Sequence, residues 1–257
     1  MASFFVMSNK VMSNKIVIYT AIFGPYNDLI PQRKIHGIDY ICFTDQPFKS
    51  NTWKVIQVKP EFDDNTKNNR KFKLLPHKYL SDYDYSIYMD GNFLVRRNIT
   101  DFINHHLSQH KMVIFDHAQN SDSRSCVYDE YEAIITLGKE DGFFKDDPEV
   151  MRKQVEHYRK EGYPVNNGLI AAGVLIRKHN DPEVIKLMET WWNELKKGSK
   201  RDQLSFNYSA WKNDFPLHYL DGNIRDNENF LFLGKHRKSF KSKYFRYRLK
   251  KFFGLKK

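Results

Sequence analysis

An α/β domain with a mixed, mostly parallel central sheet flanked by helices is the fold class this sequence predicts. Three observations predict it. Short apolar runs alternate with amphipathic, helix-like stretches over most of the 257 residues. The longest apolar run, 169–177 (LIAAGVLIR), reads as a strand buried on both faces. The third is that several apolar runs stop at polar or Gly-containing turns, as strands do where an open sheet gathers its ligand loops.

Taken in order, Lys15–Thr20 reads as a first buried strand, broken at Gly24-Pro25 between Phe23 and Tyr26. Asp39–Thr44 is a second strand, ending at Asp45, and Trp53–Val58 a third, closed by Pro60. Asn65–Leu80 has the stripe Phe72, Leu75, Tyr79 of a helix that Pro76 must kink or divide. Tyr85–Met89 is a strand running into Asp90-Gly91-Asn92, followed by Phe93-Leu94-Val95 and a helix over Ile99–Leu107. Met112–Phe115 is a strand and His117–Tyr128 a polar loop. Asp129–Leu137 and Pro148–Glu161 read as helices. Asp181-Pro182 caps a helix to about Lys197 that buries Ile185, Met188, Trp192 and Leu195. A helix over Arg201–Trp211 and a strand over Leu217–Leu220 complete the series, and the loops after Thr20, Asp45 and Asp90 are expected to meet.

Composition limits the functions available. The chain is 40% hydrophobic, and Cys42 and Cys126 are its two cysteines, so no disulfide framework is implied. No apolar run approaches 18 residues, and the N-terminal stretch, where Val6–Lys10 is repeated as Val11–Lys15, lacks a signal-peptide core. A cytoplasmic location, peripheral at a membrane's cytoplasmic face, is the resulting expectation. The net charge of +11 lies in one place: residues 235–257 hold 11 of the 42 Lys and Arg and no acid, leaving 31 basic and 31 acidic side chains before them. No nucleic-acid-binding body is expected. The division is a 1–14 extension, a 15–240 domain and a 241–257 basic aromatic tail. As a helix, that tail would align Phe245, Leu249, Phe252 and Phe253 among cations, which suits an anionic membrane surface. A disordered tail and a nucleic-acid-binding tail are the alternatives.

None of the 12 glycines forms a Gly-x-Gly, so the dinucleotide fingerprint is missing, as are the P-loop, the Gly-x-Ser-x-Gly elbow and a clustered Cys/His zinc site. Metal and basic side chains are then the natural way to hold a nucleotide. Asp90 and Asn92 could aim a carboxylate and an amide oxygen at one volume, as Mg²⁺ or Mn²⁺ requires. A plain turn is the competing reading, since Asp221-Gly222-Asn223 repeats the tripeptide. Arg70, Lys73 and His77 would share a helix face, either meeting a pyrophosphate or merely solvated. Asp202 is either a helix cap or a site carboxylate. His117, Arg124 and Glu130 flank a polar loop whose task no spacing rule identifies, and His236 is a lone histidine.

Seven segments in order, IYTAIFGPYNDL (18–29), YICFTD (40–45), NNRKFKLLPHKYL (68–80), YSIYMDGN (85–92), HAQNSDSRSCVYDEYEA (117–133), GLIAAGVLIRKHN (168–180) and RDQLSF (201–206), resemble GT-A glycosyltransferases. They are most similar to the bacterial, viral and plant glycosyltransferase-like family first catalogued as a domain of unknown function, whose plant branch includes mucilage- and turgor-related proteins. The resemblance implies a GT-A-like single domain moving a sugar from a nucleoside-diphosphate sugar, a UDP-sugar being expected, to a glycan or lipid-linked acceptor. It implies a metal, Mn²⁺ or Mg²⁺, on Asp90, Asn92 and His236, with Asn92 standing where most such enzymes have a second Asp. Thr20, Phe23, Gly24, Tyr26 and Asp45 would hold base and ribose. Arg70 and Lys73 would face phosphate, with Gly91 and Arg124 also on the donor. Asp202 and Gln203 would be catalytic, Asp202 as the carboxylate beside an oxocarbenium-like carbon, and a retaining outcome is favoured. A non-catalytic sugar-nucleotide module and a nucleotidyltransferase are the alternatives.

Overall fold

The computed structural model describes residues 14–25, 29–234 and 240–254. Its centre is a seven-stranded sheet. The first strand, β1 (Ile16–Ile22), is buried at every position and shares its two faces between two cores. Val17, Tyr19 and Ala21 enter one and Ile16, Ile18 and Ile22 the other, as the two-residue period of a strand requires. It pairs in parallel with β2 (Ile38–Thr44), which pairs in parallel with β3 (Lys54–Gln57). Between β3 and the next strand come helix α1 (Asn65–Leu74), capped by Asp64, and a 3₁₀ turn over Pro76–Lys78. Strand β4 (Tyr85–Met89) then lies parallel on the other side of β1.

A short strand β5 (Phe93–Val95) and helix α2 (Thr100–Gln109) lead to β6 (Met112–Asp116). Helices α3 (Val127–Asp141) and α4 (Pro148–Lys160) precede β7 (Ile170–Arg177). β7 inserts antiparallel between β4 and β6, so the sequence-predicted central strand is central but reversed. Helices α5 (Pro182–Lys197) and α6 (Gln203–Lys212) follow, then β8 (Tyr219–Leu220) beside β6. β9 (Phe230–Phe232) pairs with β5 in a separate antiparallel ribbon, and α7 (Phe240–Phe252) closes the described chain. The sheet order is β3-β2-β1-β4-β7-β6-β8, with four parallel and two antiparallel pairings. The expected mixed, mostly parallel sheet flanked by helices is present.

Helices α1, α5 and α6 cover one face, where Trp191 packs edge-on against Phe206 at 4.6 Å. Helix α2 and the β5–β9 ribbon cover the other. Each fully buried large apolar side chain contributes roughly 1.5–3 kcal/mol of transfer free energy. Asp181 caps α5 by accepting from Glu183 N at 2.9 Å and Val184 N at 3.4 Å, with Pro182 at the first turn as expected.

Several boundaries differ. The helix expected over Asn65–Leu80 ends at Leu74, because Pro76 cannot continue it, so His77 leaves the face of Arg70 and Lys73 and approaches Glu189 at 3.5 Å. Ile185 is only half-buried; Val184, Leu187 and Trp191 fill the core beside Met188, Trp192 and Leu195. Helix α3 starts two residues earlier than its sequence pattern and runs four further, to a left-handed Gly142.

Candidate active site at the end of β4

The carboxyl ends of β1, β2 and β4 bring their loops together. Gly24 adopts φ +77°, and its N–H donates to both carboxylate oxygens of Asp45, at 3.0 and 3.1 Å. A side chain at Gly24 would overlap Asn65 at the start of α1. One turn on, Asn69 donates to the carbonyl of Ala21 and to Tyr88 Oη (3.3 Å), and Arg70 donates to Asn69 Oδ1 at 2.6 Å. The β1 loop, the β2 loop and α1 are thus locked to one another.

Asp90 leaves the sheet at the end of β4. Its backbone N–H donates to the Gly173 carbonyl of β7 at 2.9 Å, and its carboxylate accepts from Tyr88 Oη at 2.9 Å. Lys73 lies beneath it, buried, with its ammonium 3.9 Å from Asp90 and 2.5 Å from Asp202. Asp202 also meets Arg70 Nε at 3.0 Å. Burial alone would raise the Asp202 carboxyl, but the Arg70 and Lys73 cations outweigh it and hold it well below the usual carboxylate range. Burial pulls the Lys73 ammonium down while Asp202 and Asp90 push it up. The Lys73 carbonyl is itself fixed, accepting from Tyr19 Oη at 2.9 Å and from the buried Arg177 at 2.6 Å.

Asp202 therefore does not do a cap's work. It sits at the N-cap position of α6 in a helical conformation, with no side-chain bond to the helix, and spends its carboxylate on the two cations. Lys73 is likewise enclosed by carboxylates rather than open to solvent.

Beside Asp90 opens a cleft of about 220 Å³. Its lining includes Ala171–Gly173 of β7, and the absence of a side chain at Gly173 admits the Phe93 ring. Gln203, Arg201, Arg124 and Glu130 form its walls, Gln203 anchored through Nε2 to the Ile170 carbonyl at 3.0 Å. Glu130 is buried and clasped by Arg124 at 2.5 Å and Arg201 at 3.4 Å. Arg124 also lies 3.0 Å from His117 Nε2. A guanidinium only donates, so Nε2 accepts and the ring is neutral; burial, then Arg124, lowers the His117 pKa accordingly.

Eight of the sequence-predicted residues fall into three groups. Asp90, Arg124 and Gln203 meet at the cleft, and Arg70, Lys73 and Asp202 form the ionic cluster behind Asp90. Gly24 and Asp45 join the β1 and β2 loops, whereas Phe23 is core, stacked on Phe72 at 5.5 Å. Thr20 is buried with its hydroxyl unpartnered. Gly91 does not have a positive φ; it permits close packing, since a Cβ there would lie 3.0 Å from Ile22 Cδ1. Tyr26 and His236 lie outside the described residues. Asn69, Tyr88, Arg201 and the Ala171–Gly173 lining were not singled out for the site by sequence reasoning. The run of small residues in an otherwise bulky strand was the available signal for that lining.

Among the described residues, no group of three His, Cys, Asp or Glu side chains is placed to hold a metal. The oxygen donors nevertheless fit a hard cation. Asn92 is buried, its Nδ2 donates to the Gly234 carbonyl at 3.2 Å, and its Oδ1 has no hydrogen-bond partner. Asn92 thus offers a buried, unsatisfied oxygen two residues along the chain from the Asp90 carboxylate, and both are oxygen donors of the type Mg²⁺ and Mn²⁺ take.

The chain is similar to known proteins over most of its length. A family profile described as "TOD1/MUCI70, glycosyltransferase-like domain" matches residues 41–242, well over half the chain. A curated relative from Arabidopsis thaliana, "Probable hexosyltransferase MUCI70", is 24% identical over 232 residues, covering 74% of this chain and 36% of the relative. The chain thus spans about a third of that relative's length. Among solved structures, the crystal structure of mouse xyloside xylosyltransferase 1 in its apo form aligns with a TM-score of 0.43 and 9% identity, over 81% of this chain and 85% of that one.

Proposed function

Because the chain belongs to the TOD1/MUCI70 glycosyltransferase-like family, we propose that it transfers a sugar from a nucleoside-diphosphate sugar, a UDP-sugar being the expected donor, to a glycan or lipid-linked acceptor. The observation that carries this reading is Lys73, bridging Asp202 at 2.5 Å and Asp90 at 3.9 Å where β4 meets the cleft. That bridge ties a carboxylate at the sheet's carboxyl edge to a preorganised ionic cluster, and preorganised charge is what a transfer that expels a diphosphate needs.

Base and ribose belong beside the Gly24–Asp45 junction, and the diphosphate between Arg70 and Asp90. Asp90 and Asn92 would hold Mn²⁺ or Mg²⁺, with His236 as a third donor, and that cation would neutralise the leaving diphosphate. Arg70, tethered by Asn69 and Asp202, would meet that diphosphate with a guanidinium already held in place. Asp202, occupied by two cations, acts by positioning Lys73 and Arg70. Gln203, Arg201 and Arg124 line the space for the transferred sugar and acceptor.

The test is release of nucleoside diphosphate from a panel of UDP-sugars, with and without Mn²⁺, by the wild-type chain and by Asp90→Asn. Metal-stimulated release that Asp90→Asn abolishes supports the reading. Donor binding without release makes the chain a binding module, and pyrophosphate exchange makes it a nucleotidyltransferase.

A further inference from the structure

We infer that α7 is a docking helix for an anionic lipid surface. One side of it is already used: Tyr244 and Tyr247 pack against Ile30, Leu94, Leu231 and Leu233, on the β5–β9 ribbon and the loop after β1. The side turned away exposes Phe245 (62%), Leu249 (40%) and Phe252 (83%), with Phe253 (66%) just past the helix end. Spacings of four and three residues put the first three on successive turns of one face. Among the described residues seven large apolar side chains are exposed, and four of them are here, so the stripe is a patch and not the ordinary scatter of surface apolar groups.

Charge selects the occupant. Arg246, Arg248 and Lys250 are exposed and flank the stripe, and no acidic residue occurs from 235 to 257. A second copy of this helix would bring like charges together, whereas an anionic bilayer offers both apolar depth and opposite charge. The helix is not long and apolar enough to cross a membrane, and an apolar stripe bordered by cations is the pattern of a helix lying in the lipid interface. The ribbon beneath α7 also reaches the candidate site, because Leu233 N–H donates to the Asn92 carbonyl at 2.8 Å. None of this depends on sugar transfer.

The experiment is sedimentation of the full chain with vesicles of phosphatidylcholine alone or mixed with phosphatidylglycerol. Binding is expected to the mixed vesicles only, weakened by salt. The triple variant Phe245→Ser/Leu249→Ser/Phe252→Ser and the charge variant Arg246→Glu/Arg248→Glu/Lys250→Glu should each bind about tenfold less. Their thermal melts should match wild type, because the altered side chains are exposed. Equal, poor sedimentation with both vesicle types overturns the inference, as does a serine variant that binds like wild type. Concentration-dependent self-association that the serine variant abolishes would assign the face to a second copy, and RNA binding in place of vesicle binding would assign it to nucleic acid; either result also overturns it.

Discussion

The tripeptide Asp-Gly-Asn occurs twice, at 90–92 behind the five-residue strand β4 and at 221–223 behind the two-residue strand β8. At the second place Asp221 is exposed, Gly222 takes φ +96° with open space around it, and Asn223 folds back to accept from Arg225 N–H at 2.8 Å. That is a local turn, in which the Asn223 side chain is satisfied by the backbone two residues on and the Gly222 N–H donates to Gln119 Oε1. At the first place the glycine has ordinary φ and is pressed against Ile22, the asparagine is buried with an idle oxygen, and the aspartate lies 3.9 Å from a buried lysine. The same three residues make a turn where the asparagine oxygen finds a backbone donor two residues on, and a candidate site where it is buried without one.

The largest test of this contrast is Asp202→Asn, since the ionic cluster has no counterpart at 221. Leaving Lys73 buried without its carboxylate should cost roughly 3–5 kcal/mol in urea denaturation; a loss below about 1 kcal/mol would mean the cluster does not hold the site together. The pH dependence has a fixed sign. The folded Asp202 pKa lies below its unfolded value, so its contribution is complete above about pH 4 and is lost as pH falls through the folded pKa. Asp202→Asn should accordingly flatten the acid limb of stability against pH.

Next in size, Asp90→Asn should lower diphosphate release roughly 100-fold or more, while Asp221→Asn leaves it unchanged; equal effects would erase the distinction. Asn92→Asp, which supplies a charged oxygen donor, should lower the half-saturating Mn²⁺ concentration about tenfold, as read from metal titrations of release. The smallest effects should invert between the glycines. Gly222→Ala, strained by its φ, should cost about 1 kcal/mol and spare activity. Gly91→Ala, relieved by a shift of the Ile22 tip, should cost only a few tenths of a kcal/mol yet impair release. Thermal melts and rate measurements on the two variants separate these outcomes.

Most of the fold was legible because it rests on local signals: the periodicity of β1, β2 and β4, the Asp181-Pro182 start of α5, the long apolar run of β7. The reversal of β7 was not, because a strand buried on both faces carries no mark of its direction. Asp202 stood out in the sequence as either a cap or a site carboxylate, but its partners lie on α1, and only the packing of α6 against the sheet determines whether its carboxylate caps a helix or meets Lys73. Glu130 and Arg201 illustrate the same limit, since their meeting depends on where α3 settles. Phe23 was misjudged as a ligand-facing aromatic because loop position in sequence does not reveal that Phe72 waits beneath it.

The ion pair between Lys73 and Asp202 joins residues 129 positions apart. It requires α1 and the start of α6 to be in place together, a contact of high sequence separation whose closure costs more entropy than a local one. The site is thus a property of the assembled domain and of no single segment of it. A ligand that requires it would bind the finished domain alone and would protect the whole domain against unfolding, not one segment of it.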